Sequence, residues 1–201
     1  MAGAKRKKIP SPRSGRLIQP YQPSVSRTGN TLSFAKTFTF PQTDLSATVP
    51  AMPHSYVSNL MHCTFSTKER YRMIDAELEN RLFPYIGGIS RENHMKALAI
   101  GGMPDHIHAL LSLPATMSFA KAIQLIKGGS SKWVHEKFTK YRKFAWQDGY
   151  GAFSVSPSQL ARTIAYINNQ KEHHRKRTFE EEFIQLLDKH GIAYDKRYVF
   201  R

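Results

Sequence analysis

The sequence predicts an α+β fold in which an antiparallel sheet is built in the ferredoxin-like order βαββαβ and is followed by C-terminal helices. Three observations support this prediction. Four segments rich in apolar residues have the length and patterning of strands. Two of them are separated by a turn short enough for a hairpin. The other connections repeat apolar residues at helical spacing.

The first half of this pattern is set by a buried strand, a helix and the hairpin. A mostly apolar run predicts the first strand, and the pair Gly87-Gly88 predicts the end of the following helix. Pro104-Asp105 provides the turn between the second and third strands. These elements are a strand over 56–66, a helix over 74–86 and strands over 95–103 and 106–113.

The second half continues with a helix, a strand and two further helices. Gly128-Gly129 marks a potential break in the first of these helices. Ser156 is predicted as an N-cap, with Gln159 in the position of a capping-box residue, and Gly191 closes the last helix. These elements are a helix over 118–138, a strand over 150–156, and helices over 157–174 and 179–190.

Composition divides the 201 residues into a tail and one domain. Residues 1–51 are rich in Ser, Pro, Thr and Gln and carry 8 basic and 1 acidic residue, so we predict a disordered basic tail. Residues 52–201 hold 22 basic and 14 acidic residues and form the predicted domain, and Met52 is a candidate translation start. The formal net charge of +15 favours a nucleic-acid partner, although a merely basic protein shares this balance.

Cysteine content and hydropathy indicate a cytoplasmic protein, for which we also predict an association with the nucleoid. The single cysteine excludes an internal disulfide and a thiolate zinc cluster within one chain. No apolar run reaches the roughly 18 residues that a membrane-spanning helix needs. The basic N-terminus lacks the apolar stretch of a secretory signal.

Two histidines in the third predicted strand are candidate metal ligands. His106 and His108 alternate with apolar residues, so they share one face and lie about 6.5 Å apart along the strand. At this separation their side chains can bind one divalent ion. Two ordinary histidines on a half-exposed strand are the alternative.

The helix that follows the fourth strand supplies a candidate nucleophile. Leu160, Ile164 and Ile167 form its apolar stripe, while Tyr166 and Gln170 stand one turn apart on a flanking stripe. A phenol with a pKa of about 10 needs activation before it attacks a phosphodiester. An interfacial aromatic whose hydroxyl faces water is the alternative interpretation of Tyr166.

Both weak signals fit one mechanism. A metal held by His106, His108 and an oxygen of Gln170 would polarise a scissile phosphate attacked by Tyr166. Mg²⁺ or Mn²⁺ suits this mixed set of nitrogen and oxygen ligands better than zinc does. The chain contains no phosphate-binding loop with Walker spacing, so we expect no nucleotide cofactor.

Three motifs occurring together in this order resemble the single-tyrosine HUH transposases of the smallest bacterial insertion sequences and their REP-associated relatives. They are Met103-Pro104-Asp105-His106-Ile107-His108, Trp146-Gln147-Asp148-Gly149-Tyr150-Gly151-Ala152-Phe153-Ser154-Val155-Ser156, and Tyr166-Ile167-Asn168-Asn169-Gln170 with His173-His174. The resemblance covers nearly all of residues 56–200 and does not extend to the tail.

The resemblance implies an HUH endonuclease fold and a metal-dependent DNA transposase. Such an enzyme is a homodimer that cuts and rejoins single-stranded DNA near hairpins through a 5′-phosphotyrosine. It implies that His106 and His108 are the histidine pair, Tyr166 the nucleophile and Gln170 the third ligand. A related replication initiator or relaxase, and a non-cleaving, domesticated nucleic-acid-binding relative, remain alternatives.

Other basic and aromatic residues are candidate DNA contacts. Aromatic rings near the fourth strand either stack on unpaired bases or belong to the core, and the basic residues after Gln170 either contact phosphates or form a solvated face. The adjacent pair His173-His174 receives little weight as a second metal site, because neighbours on a helix point about 100° apart. The predicted DNA contacts are Lys140, Arg142, Lys143, Trp146, Tyr150, Lys171, Arg175, Lys176 and Arg177.

Overall fold

A computed structural model of the protein describes residues 56–200, so the predicted tail over 1–51 lies outside the described residues. Four strands are present in this part of the chain: β1 (Leu60–Ser66), β2 (Lys96–Met103), β3 (His106–Ser112) and β4 (Gly151–Ser154). The α-helices in the same residues are α1 (Ala76–Glu92), α2 (Phe119–Lys137), α3 (Leu160–Asn168), α4 (Gln170–His173) and α5 (Phe179–Lys189).

The strands form one sheet in the order β2-β3-β1-β4, and every neighbouring pair is antiparallel. This order confirms the predicted ferredoxin-like arrangement. Strand β3 lies inside the sheet, where Thr64 of β1 and Gly101 of β2 stand opposite His108. The histidine pair is therefore held by a strand that is hydrogen-bonded on both sides.

The two faces of the sheet pack against different helices. On one face Phe65, Ile107 and Leu111 join apolar residues of α1 and α2 in the main core. On the other, Leu110 of β3 packs with Ile167 of α3 in a smaller cluster. Each fully buried large apolar side chain contributes about 1.5–3 kcal/mol to folding. Burial on both faces fixes the strand register, and with it the face that His106 and His108 occupy.

Two glycine pairs lie inside helices. The predicted end of the first helix at Gly87-Gly88 is wrong, whereas the helix predicted over 118–138 is confirmed in spite of its potential break at Gly128-Gly129. Helix α1 runs through Gly87-Gly88 because its buried stripe continues beyond them at Ile89, and this packing outweighs a cost of about 1 kcal/mol for each glycine. Helix α2 likewise runs through Gly128-Gly129. A Cβ at Gly129 would lie 3.0 Å from Cδ1 of Ile89, so this glycine allows α1 and α2 to approach closely.

The single helix predicted over residues 157–174 is divided in the structure. A 3-10 turn spans Pro157–Gln159, and α3 is separated from α4 at Asn169, whose φ is −104° and ψ 24°. The predicted capping box is also absent, since the Ser156 hydroxyl lies 2.8 Å from the Ser158 hydroxyl and caps no backbone N–H. The directions of side chains after Asn169 therefore cannot be obtained by counting 100° per residue from α3.

The last helix matches its prediction. Thr178 and Glu181 form a capping box at the start of α5. The chain leaves the helix at Gly191, whose φ of 62° lies in the region that favours glycine. Among the described residues, no helix has the length and apolar character needed to cross a membrane.

Candidate active site

Three buried histidines line the sheet face that carries α3. His106 and His108 project from β3, with ring centroids 5.3 Å apart, and neither is more than 1% exposed. His62 of β1 is also buried, and its Nε2 lies 2.9 Å from Nδ1 of His108. The predicted pair therefore shares one face, and a third imidazole supports it from the neighbouring strand.

Helices α3 and α4 bring Tyr166 and Gln170 to the same place. The Tyr166 ring lies 5.9 Å from the His108 ring and 5.8 Å from the His62 ring, edge-on to both. Gln170 is 1% exposed, and its Nε2 lies 3.4 Å from the backbone carbonyl oxygen of Tyr166. All four predicted catalytic and metal-binding residues thus converge.

Two residues outside the predicted ligand set, Glu182 of α5 and His174, lie at the centre of this group. Oε2 of Glu182 is 3.3 Å from Nε2 of His108 and 3.1 Å from Nε2 of His174. Oε1 of Glu182 accepts a hydrogen bond from the Tyr166 hydroxyl. One ligand atom from each of His106, His108, His174 and Glu182 lies within 4.8 Å of the other three.

The hydrogen bonding of these buried atoms fits a cation site. In the described part of the chain, His108 Nε2, Gln170 Oε1 and Glu182 Oε2 are buried without a hydrogen bond. A buried polar atom without a partner costs about 1–3 kcal/mol. Because imidazole nitrogen and amide or carboxylate oxygen atoms all bind divalent metals, the donor set fits such an ion.

Burial sets the protonation of the site. It lowers the pKa of His108 well below the ordinary histidine value, and the neighbouring His106 adds to this effect. Burial lowers the pKa of His106 as well, although the hydrogen bond to Asp105 partly counters it. Burial raises the pKa of Glu182 to about 7. Neutral imidazoles retain the lone pairs that metal binding requires.

A comparison with family models identifies the family of the chain. Residues 55–170 match the family model described as Transposase IS200 like. The chain belongs to this family. The protein is accordingly a transposase, which is a DNA-processing enzyme.

Individual relatives of this transposase agree with the family match. The ISDra2 transposase TnpA of Deinococcus radiodurans is 22% identical over 116 residues, covering 55% of this chain and 83% of the relative. The transposase for insertion sequence element IS200 of Salmonella typhimurium is 27% identical over 127 residues, covering 61% and 83%. A solved structure of a candidate transposase from Deinococcus radiodurans has a TM-score of 0.51 at 22% identity, covering 61% of this chain and 98% of that one. This structural likeness supports the fold.

A basic groove opens beside the histidines of the transposase. It is a cavity of about 540 Å³ that reaches His106 and His174. Its cationic lining consists of Arg70, Arg72, Arg175, Lys176 and Arg177. Arg175, Lys176 and Arg177 were predicted DNA contacts, whereas Arg70 and Arg72 were not. Asp105, Glu180 and Glu181 line the groove as well, and Arg70 forms ion pairs with Asp105 and Glu180. The five cations outnumber these three carboxylates, and this excess favours a polyanion.

The aromatic candidates of the transposase differ in their surroundings. Trp146 is 9% exposed, packs edge-on against Phe65 at 4.9 Å and donates from Nε1 to the Ser130 hydroxyl. An enclosed ring of this kind has no free face for a base, so the stacking role predicted for Trp146 is corrected to a core role. Tyr150 is 41% exposed, and its predicted role stands as a prediction.

The other basic candidates lie on the surface of the transposase. Lys140 forms ion pairs with Asp75 at 2.8 Å and with Glu77 at 3.1 Å, and Lys171 pairs with Glu79 at 2.9 Å. A DNA phosphate would have to compete with these carboxylates. Arg142 and Lys143 are exposed. Their proposed contacts with DNA therefore stay predictions.

Sequence signals existed for the three residues of the site that were not predicted. His62 stands opposite Leu110, so strand alternation places it on the face of His108. Glu182 lies three residues after the buried Phe179, on the apolar face of α5. Helical angles gave little weight to a site formed by His173 and His174 together, and they did not address a contact of His174 alone with His106, whose Nε2 lies 3.0 Å from Nε2 of His174.

Proposed function

We propose that this transposase cleaves and rejoins single-stranded DNA at hairpin-marked ends through a 5′-phosphotyrosine on Tyr166. The observation that carries this proposal is the convergence of Tyr166 with His106, His108 and Gln170 beside the basic groove. A nucleophile, a set of metal ligands and a surface attractive to phosphate are the parts that strand transfer needs.

The proposed reaction exchanges one phosphodiester for another. The Tyr166 oxygen attacks the scissile phosphorus, the bond to the 3′ oxygen breaks, and the released 3′ oxygen takes one proton from solvent to give a free 3′-OH. Oε1 of Glu182, which receives the Tyr166 hydrogen bond, is positioned to accept the phenol proton. Rejoining reverses these steps when a DNA 3′-OH attacks the phosphotyrosine. The bond energy is retained, so no nucleotide cofactor is required.

His106, His108 and Gln170 are the residues proposed to hold a divalent ion, Mg²⁺ or Mn²⁺. Such an ion would polarise the scissile phosphate and stabilise charge on the leaving 3′ oxygen. Asp105 supports this role because it accepts a hydrogen bond from Nδ1 of His106 at 2.8 Å and thereby directs Nε2 into the site.

The proposed substrate and assembly follow from charge and from the family resemblance. Arg175, Lys176 and Arg177 of the groove would bind the strand through its phosphates, which is a contact without base specificity. Recognition of hairpins and action as a homodimer are implied by the resemblance and are part of this proposal.

The test is covalent capture of hairpin-bearing single-stranded DNA by the Tyr166→Phe variant in the presence of Mn²⁺. We expect no protein–DNA adduct, and DNA binding within about twofold of the native level, because only the attacking oxygen is removed. Tyr85→Phe is the matched control, since Tyr85 stacks on Trp133 in the other helical layer, and it should form adducts normally.

Adducts that persist in Tyr166→Phe would remove this residue from the role. If the native protein binds the hairpin without forming adducts, the non-cleaving alternative is correct. Cleavage that His106→Ala or EDTA leaves unchanged would contradict the metal assignment.

A further inference from the structure

We propose that His174 and Glu182 complete the coordination of the active-site cation together with His106 and His108, and that this set binds Mn²⁺ in preference to Mg²⁺. The inference deepens the proposed function, on which it rests. It assigns two ligands to the segment that follows the helix of the nucleophile.

The distances suit a single ion. The nearest contacts between ligand atoms are 3.0 Å from His106 Nε2 to His174 Nε2 and 3.1 Å from His174 Nε2 to Glu182 Oε2. All four atoms lie within 4.8 Å of one another. An ion that binds each ligand at about 2.0–2.6 Å can serve atoms at these separations.

The hydrogen bonds on the outer side of the rings leave the inner nitrogens with lone pairs. Nδ1 of His106 donates to Asp105 Oδ1 at 2.8 Å, and Nδ1 of His174 donates to the Arg177 carbonyl oxygen at 3.0 Å. Because a carboxylate and a carbonyl accept hydrogen bonds, each ring carries its proton on Nδ1. The two Nε2 atoms, 3.0 Å apart, therefore present lone pairs to each other. A cation between them removes this repulsion.

The two carboxylate oxygens of Glu182 have different neighbours. Oε1 accepts the hydrogen bond of Tyr166, while Oε2 faces the imidazoles and makes no hydrogen bond in the described residues. At 2% exposure, a carboxylate among neutral rings needs a positive partner. Coordination through Oε2 would supply that partner and would couple the ion to the nucleophile through one side chain.

The chemistry of this set favours Mn²⁺. Mg²⁺ prefers oxygen ligands and keeps much of its water, whereas imidazole suits transition metals. Three imidazoles and one carboxylate would therefore distinguish the two ions. His174 and Glu182 flank the start of α5, so the same ion would also hold α5 against the sheet.

The experiment is isothermal titration of the metal-free full chain with Mn²⁺ and with Mg²⁺. We expect Mn²⁺ to bind at least about tenfold more tightly than Mg²⁺, and we expect Glu182→Gln and His174→Gln each to weaken Mn²⁺ binding by at least about tenfold. Glu172→Gln and His190→Gln are matched controls because both residues are exposed, and they should stay within about twofold. Thermal melts of the metal-free variants establish that they fold.

Native Mn²⁺ affinity in folded Glu182→Gln and His174→Gln would overturn the inference, as would equal affinities for the two ions. If either variant fails to fold, pulsed EPR of Mn²⁺ bound to the unaltered chain with ¹⁵N-labelled histidine provides the test instead. It should detect three directly bound imidazole nitrogens, and a count of two would contradict the proposed set of ligands. Adducts that are independent of Tyr166 would instead contradict the proposed function and leave these binding results intact.

Discussion

His62 and His108 are packed ring against ring in the sheet, with centroids 5.1 Å apart and one hydrogen bond between their nitrogens. This hydrogen bond requires a donor on one ring and an acceptor on the other, so it is lost if both rings become cations. Burial lowers the pKa of each well below the usual histidine value. Folding therefore favours neutral rings.

The sign of the resulting pH dependence is set by which state binds more protons. Below about pH 6.5 the unfolded chain protonates these histidines and the folded chain does not, so stability falls as the pH falls. Glu182 acts in the opposite sense, because its pKa is raised to about 7 in the folded protein and proton uptake stabilises the fold. Four histidines with lowered pKa values oppose this single carboxyl group, so the histidines determine the direction of the pH dependence. They are His62, His106, His108 and His174.

We therefore expect the metal-free protein to be less stable at pH 5 than at pH 7. A buried histidine that stays neutral contributes up to about 2 kcal/mol over this interval. Urea denaturation at the two pH values measures the difference, which should shrink in His62→Gln. The exposed residue His94 gives the control variant His94→Asn. A pH dependence equal in His62→Gln and the native chain would show that His62 does not carry it.

The contact of α3 with β2 fixes the height of Tyr166 above the sheet. Gly101 stands opposite His108, and a Cβ at this position would lie 2.2 Å from the backbone oxygen of Ile167, the residue after Tyr166. No side chain fits there unless α3 moves. The glycine therefore allows α3 to lie close enough to β2 for Tyr166 to reach the histidines.

We expect Gly101→Ala to destabilise the fold by about 1–3 kcal/mol, as overpacking does, and to reduce adduct formation because α3 and Tyr166 are displaced. Gly128→Ala is the matched control in α2, where a Cβ would meet nothing within 4 Å. It should stabilise the protein by about 0.5–1 kcal/mol through its helix propensity. Thermal melts and adduct yields measure both effects. A neutral Gly101→Ala would contradict the close packing.

The elements were predictable where local pattern determines them and not where packing does. Alternation in β3 and the short turn at Pro104-Asp105 are local, and both the strand and the hairpin are confirmed. The end of α1 depends on helix contacts that outweigh glycine, so the prediction that this helix ends at Gly87-Gly88 is wrong, whereas the range predicted for α2 is confirmed. The break at Asn169 was not predicted either, and the buried Gln170 directly follows it.

At the scale of the whole molecule, the site is assembled from elements far apart in the chain. Local spacing made His106 with His108, and Tyr166 with Gln170, candidate pairs, and the resemblance to the single-tyrosine HUH transposases implied their roles. Glu182 was not predictable from local spacing. It lies in the first turn of α5, where acidic residues and a capping box are expected at the start of any helix. Its part in the site is a tertiary contact.

The central claim is that the phenol of Tyr166 and the histidine pair act together on one phosphate. Its most direct test is mass-spectrometric mapping of the covalent product that forms between the native protein and hairpin-bearing single-stranded DNA in Mn²⁺. We expect the nucleotide on the peptide that contains Tyr166, joined through a 5′ phosphate, with an equal amount of DNA released with a 3′-OH. Attachment at another residue, or cleavage that yields free 5′-phosphate ends, would contradict this account.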